Sequence, residues 1–457
     1  MTQLMETTYS DPKSAAPPPG EVTQVVEHCF RHESGKIIST LTRIFGVEHI
    51  NRAEDVVQET LARALQTWPY YGIPQNPAAW ITQVAKNLSL DLIRREKIFH
   101  NKEIEIARLL DQDTTDAPAE NAFIGEKEIT DDRLRMMFVC CHPVLPQEAH
   151  VALALKTLCG FSASEIARAF LTSEAAIAKR LTRAKQKIRD ARVPFEIPAG
   201  EELAQRLDGV LQTLYLLFNE GYKASTGDQL IREALCYEAI RLGGLLAEHP
   251  AGNRPRTHAL LALMLLNGAR LKARLDQDGN ILRLKEQTRS SWDQAMIARG
   301  LFHLTQSIAA DEISEYHLQA GIAASHCAAK DYQSTDWAQI LSLYDRLVEM
   351  NDSPVILLNR AVALANVHGP RAAVEAVQAI QDRQELNSYY LLYAVLGEFE
   401  ADLNNKEAAV NYFRKAVELA TIKSEQIFMA KKLQQLEGGS SGSNLTARRR
   451  TRREMAR

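Results

Sequence analysis

Between Asn51 and Lys97 the apolar residues fall on two helical stripes. In the first, Ala53, Val56, Val57, Leu61, Ala64, Leu65 and Trp68 recur at three- and four-residue spacing, which puts them on one face of an α-helix. Asn51, with Glu54 three residues on, predicts a capping box at its start. In the second, Asn76 is the expected cap and Pro77 the first helical residue. Its buried face is Trp80, Ile81, Val84, Ala85, Leu88 and Leu92. The outer faces are polar: Glu54, Asp55, Gln58, Glu59, Arg63 and Gln66, then Gln83, Lys86, Asn87, Asp91, Arg94 and Arg95. Trp80 lies inside its stripe and is assigned to the core rather than to base stacking.

A helix over Glu21 to Phe45 precedes this pair, with Val22, Val25, Val26, Cys29, Phe30, Ile37, Ile38, Leu41 and Ile44 on its stripe and Gly46 near its end. Further along, Val151, Ala154, Leu155 and Leu158 mark a helix that stops at Gly160. Ser162 and Glu165 make a capping box for a short helix, and a third helix starts near Ser173, with Ile177, Leu181, Ala184 and Ile188 inside. This spacing is that of a helix-turn-helix. The third helix carries Lys179, Arg180, Arg183 and Lys187 outside, with Lys185, Arg189 and Arg192 close by, and no acid between Ala175 and Arg189. A merely solvated face would mix in carboxylates; an all-basic one is the footprint of phosphate contact.

Beyond Pro194, helices are expected over Leu203 to His249 and Leu260 to Leu266. Asn219-Glu220-Gly221-Tyr222 reads as a capped turn in preference to a ligand-binding corner. Asp276 to Asn280 begins like a calcium loop but lacks the helical frame and terminal Glu, so it reads as a turn in a hairpin or loop. Near the end, Tyr393, Leu396, Gly397, Ala409, Phe413 and Ala416 match the large–small pattern of a tetratricopeptide repeat. Glu400 and Thr421 depart from it. A looser copy spans Asp336 to Ile380, with Trp337, Tyr344 and Pro354. Such helical pairs stack into solenoids with a concave surface for a peptide or protein partner.

Composition adds bounds. At 457 residues the chain exceeds one core. With 46% hydrophobic and 24% charged residues it is an ordinary globular composition, and no period-2 run appears, so an all-α fold is expected. The net charge of −3 leaves local clusters to decide the partners. Ten carboxylates face two cations from Glu103 to Asp132, which reads as a solvated linker kept extended by self-repulsion. Cys29, Cys140, Cys141, Cys159, Cys236 and Cys327 are scattered without a CxxC pair. They suit buried thiols of a reducing compartment better than disulfides or a zinc site at Cys140-Cys141-His142. No run reaches the ~18 apolar residues of a membrane span, and the N-terminus lacks the pattern of a signal peptide. A cytoplasmic protein is expected, with no metal, no cofactor and no catalytic constellation.

The order AEDVVQETLARAL, then AWITQVAKNLSLDLIRREK, then FSASEIARAFLTSEAAIAKRLTRAKQKIRDA resembles regions 2 and 4 of bacterial RNA polymerase sigma factors of the extracytoplasmic-function group. With the C-terminal repeats, the resemblance is to members carrying a long tetratricopeptide extension. After a polar, Pro-rich N-terminal arm (1–20) expected to be disordered, it implies a region 2 bundle (21–100), an acidic linker (101–130) and a region 4 helix-turn-helix (131–194). A helical extension (200–335), tetratricopeptide-like repeats (336–437) and a flexible basic tail (438–457) follow. It further implies binding of core RNA polymerase, at the β′ coiled coil and β flap, and of promoter DNA. By resemblance, Asp55, Gln58 and Glu59 dock on polymerase, and Asn87, Asp91, Arg94 and Arg95 meet the melted −10 element. Ser173, Glu174, Ala176, Lys179, Arg180, Arg183 and Lys187 face the −35 element. The competing reading is a stand-alone helix-turn-helix regulator whose C-terminal half senses a ligand or protein. The arginine-rich tail reads equally as an aid to nucleic-acid binding or a solvated end.

Overall fold

A computed structural model describes residues 20–95, 131–170, 172–196, 198, 201–224, 230–250, 252–308, 313–380 and 383–437. The acidic linker 101–130, the basic tail and all but the last residue of the N-terminal arm lie outside them. Among the described residues the fold is all-α, and its only extended pairing is an isolated bridge between Leu275 and Ile281. Two compact units form: residues 1–217 with 241–253, and residues 218–240 with 254–457.

In the first unit, α1 (Glu21–Phe45), α2 (Ile50–Tyr71) and α3 (Pro77–Arg95) enclose a core of Ile37, Ile38, Leu41, Ile44, Val57, Trp68 and Ile81. Gly46, with φ +95°, ends α1 in a conformation that a side chain would strain. Two local expectations fail. Helix α2 starts one residue before Asn51, with His49 as its uncapped N-cap residue, because the turn Val47–His49 already delivers the chain in helical geometry. Leu65, placed in the stripe, is 44% exposed, since it lies at the stripe's edge. Asn76 behaves as expected: its side chain accepts from the Ala79 N–H at 3.0 Å.

The same unit continues with α4 (Asp132–Cys140), α5 (Gln147–Leu158), α6 (Ala163–Ala169) and α7 (Glu174–Ala191). α1 packs directly on α5. Gly35 lies so close to the Leu158 carbonyl that any Cβ there would overlap it. Ion pairs join the two sets of helices: Arg31–Glu165 at 3.1 Å, Arg43–Asp132 at 3.1 Å, and Lys185–Glu54. The start of α8 (Glu201–Tyr222) seats Arg206 in this unit, buried and donating to the Phe138 carbonyl at 3.4 Å.

The second unit centres on α10 (Pro255–Gly268), buried on nearly every side, flanked by α11 (Gln294–Ser307) and α12 (Glu315–Ala328); α9 (Glu233–Glu248) starts in it. Helix pairs follow: α13 (Trp337–Met350) with α14 (Pro354–His368), α15 (Pro370–Gln378), then α16 (Tyr390–Asp402) with α17 (Lys406–Leu419) and α18 (residues 423–437). Gly397 fits where the repeat needs a small residue: a Cβ there would stand 3.0 Å from the Phe413 ring. The Asp276–Asn280 stretch is a turn, its Asp276 carboxylate accepting from the backbone of Asp278 and Asn280. Asn219 to Tyr222 is not a turn. It is the last turn of α8, and Glu220 is held there by Arg232 at 3.1 Å.

Candidate nucleic-acid interface

The helix-turn-helix is built by two caps. Ser162 accepts from the Glu165 N–H at 3.1 Å, and the Glu165 carboxylate accepts from Ser162 N at 2.7 Å, which satisfies the free donors that begin α6. Ser173 caps α7 by accepting from Ala176 N at 3.3 Å. Ile177, Leu181, Ala184 and Ile188 are buried as predicted. That leaves Ser173, Glu174, Lys179, Arg183 and Lys187 exposed on the helix, with Ala176 and Arg180 half-buried.

Two cations differ from the simple picture of an outer basic face. Arg180 pairs with Glu148 of α5 at 2.6 Å and stands 5.8 Å from the Phe170 ring. Lys185 turns inward onto Glu54, both side chains mostly covered. Its position, one step off the outer face, lets it reach α2. The remaining basic side chains still make one exposed stripe that lacks an acid after Glu174 until Asp190. Such a stripe can neutralise phosphates, while the N-terminal residues of the helix approach base edges.

On α2, Asp55, Gln58 and Glu59 are all exposed at i, i+3 and i+4, a continuous polar patch. Arg63 holds Glu59 at 2.9 Å. On α3, Asn87, Asp91 and Arg94 are exposed, and Gln83 donates to Asn87 at 3.1 Å. Arg95 ends the helix, and its side chain lies outside the described residues. Trp80 packs edge-on to Trp68, ring centroids 5.4 Å apart, and joins the core as expected. The Lys185–Glu54 pair joins α7 to α2 one residue from Asp55.

Sequence reasoning missed Tyr70 and Tyr71. They stand 85% and 63% exposed at the end of α2. Two consecutive aromatics just past the last stripe residue, Trp68, were the available signal. Around Cys140-Cys141-His142, Cys140 contacts Thr157 at 3.7 Å, and His150 binds the carbonyls of His142 and Leu145. Burial pushes the Cys140 thiol up to about 12. Among the described residues no group of three potential ligands gathers, and no helix is long and apolar enough to cross a membrane.

Family models agree with this architecture. Residues 29–98 match sigma-70 region 2, residues 135–188 match sigma-70 region 4, and residues 206–308 match a family of unknown function. An uncharacterized protein of Rhizobium meliloti is 38% identical over 401 residues, covering 87% of this chain and 93% of the relative. A probable RNA polymerase sigma factor of Xanthomonas campestris is 28% identical over 158 residues, 34% of this chain and 35% of that protein. The extracytoplasmic-function sigma factor SigE of Mycolicibacterium smegmatis is 27% identical over 164 residues, 36% of this chain and 60% of that protein. No solved structure matches. With both sigma modules in order on one chain, followed by a helical half of its own, the protein belongs to the extracytoplasmic-function sigma factors that carry a long C-terminal extension.

Proposed function

We propose that the chain binds core RNA polymerase through the α2 patch of Asp55, Gln58 and Glu59 and directs initiation at a promoter that it both reads and opens. Ser173, Glu174, Ala176, Lys179, Arg180 and Arg183 at the start of α7 read the −35 element, and Lys187 holds backbone phosphate. The observation that carries this reading is the capped helix-turn-helix with an exposed, acid-free basic stripe on its last helix. At −10, Asn87, Asp91, Arg94 and Arg95 hold the melted strand, and Tyr70 and Tyr71 offer rings for unstacked bases. The polymerase performs the chemistry, and this chain contributes no catalytic group. The β′ coiled coil and β flap are the docking points proposed for regions 2 and 4.

The helical C-terminal half acts as a built-in regulatory or docking module, with its repeats available to a protein partner. Run-off transcription with purified core polymerase on a promoter library tests the whole reading, comparing the full chain with residues 1–199. Transcripts sharing an upstream motif are expected, with different yields from the two proteins. Sequence-specific duplex binding without core, and no transcripts, would favour the stand-alone regulator. Equal yields would remove the regulatory role.

A further inference from the structure

In the second unit a cavity of ≈ 460 Å³ opens beside α16. Its walls are aromatic, with Tyr332, Trp337, Tyr390, Phe399, Phe413 and Phe428 among them. Volume and lining are those of a small-molecule pocket. Glu398 of α16 also lines it, and three cations converge on that carboxylate: Arg283 at 2.7 Å, Lys432 at 2.9 Å and Lys285 at 3.6 Å. Arg283 is shared with Glu286. These cations hold Glu398 below the usual carboxylate range against the opposing effect of its burial. Asp402 lines the cavity too, but it is exposed and screened by water. The partly covered cations therefore outnumber the partly covered carboxylates at one end of an apolar chamber. Arg283, Lys432 and Glu398 are partly covered here, while Lys285 stays exposed.

The cavity also has a mechanical connection. Tyr390 in its wall donates its hydroxyl to Glu425, a buried carboxylate. Glu425 lies 3.4 Å from the Lys223 ammonium, which stands 4.7 Å from the Tyr390 ring centroid. Lys223 is the residue that follows α8. A molecule displacing Tyr390 would loosen the charge pair that anchors the end of this helix.

We infer that this cavity binds a small amphipathic carboxylate. Its aromatic or apolar body sits among Trp337, Phe399 and Phe428, and its anionic head meets Arg283, Lys285 and Lys432. Nothing in the polymerase and promoter contacts is needed for this, so it stands or falls separately from the transcription reading. The test is calorimetric titration of the full-length chain with three probes of one shape: 1-naphthoate, 1-naphthylmethanol and 1-naphthylmethylamine.

Naphthoate is expected to bind once per chain, at least about tenfold more tightly than the amine, a difference of about 1.4 kcal/mol. Lys285→Gln, in the cavity lining, and Lys432→Gln, which meets the lining residue Glu398, should each weaken naphthoate several-fold and leave the alcohol unchanged. Ala365→Trp, which fills the chamber from α14, should abolish all binding; an unchanged thermal midpoint would show that this variant is folded. The inference is overturned by the absence of saturable naphthoate binding, by equal affinity for acid and amine, or by Lys→Gln variants that bind naphthoate as the parent does. Binding that survives Ala365→Trp in a folded protein overturns it as well.

Discussion

Lys185 of α7 donates to Glu54 of α2, and the contact ties the helix proposed to read DNA to the helix whose polar patch is proposed to face polymerase. Both side chains are largely shielded from solvent. Removing either partner leaves the other charge poorly solvated, which costs about 2 kcal/mol for a charged hydrogen bond. Glu54→Gln and Lys185→Gln should each lower the urea midpoint of the first unit. The double variant should lose less than the two singles together, by about 1 kcal/mol. Additive losses would mean that the two groups do not interact in solution.

Gly35 and Gly244 are both helical glycines with opposite surroundings. Gly35 is pressed against the Leu158 backbone, whereas nothing stands within 4 Å of a Cβ at Gly244. Gly35→Ala should destabilise by about 2 kcal/mol, because a rigid carbonyl cannot yield. Gly244→Ala should stabilise by up to about 1 kcal/mol through helix propensity. Thermal melts of the two variants should therefore move in opposite directions.

Glu165 serves two structures at once. One oxygen takes the Ser162 N–H and hydroxyl, and the other takes Arg31 at 3.1 Å. Ser162→Ala removes a cap, a loss of about 1 kcal/mol. Glu165→Ala should cost about 2 kcal/mol, because it also removes the charged hydrogen bond to Arg31, which keeps only Glu27 at 3.0 Å. Hydrogen exchange of the α6 amides would rank the two, and equal protection losses would count against the dual role.

His326 gives the second unit an acid limit. Its ring meets Trp337 edge-on at 5.3 Å, and burial together with Arg270 and Arg289 lowers its pKa from 6.5 to about 3. The unfolded chain therefore binds the proton more readily than the folded one. The sign follows: stability is full above about 6.5 and falls as pH drops towards 3. His303, lowered to about 4 by burial and His258, acts in the same direction. Urea midpoints should fall between pH 7 and pH 5, and His326→Phe should flatten that slope. An unchanged slope would assign the acid sensitivity elsewhere.

Lys179, Arg183 and Lys187 are exposed cations on the outer stripe of α7. In the holoenzyme, each glutamine replacement should reduce the salt dependence of promoter binding by about 0.9 in the log–log slope. A variant whose slope stays at the parental value carries no phosphate contact at that position.

Much of this architecture is legible in order along the chain. The stripes of α1, α3 and α7, the Asn76 and Ser162 caps, the Gly46 and Gly160 stops and the buried face of α7 all follow from local rules. A helix's period and its end groups are set by neighbours within four residues. The errors are local too: the Asn51 cap was preempted by the preceding turn, and the Asn219–Tyr222 polar cluster stays helical because Arg232 satisfies Glu220. A buried partner changes what a polar residue signifies, and that partner lies outside any short window.

What the chain determined by itself is most helices of the first unit, their inner faces and the presence of two modules with sigma-like order. Only the tertiary structure decided that Lys185 turns away from the basic stripe, that Gly35 admits α5 against α1, and that Arg283, Lys285 and Lys432 meet Glu398 beside an aromatic chamber. The physical reason is separation. Glu54 and Lys185 stand 131 residues apart, and Arg283 and Glu398 stand 115 apart. Periodicity fixes which way a side chain faces on its own helix; which charge it finds there depends on how the helices pack.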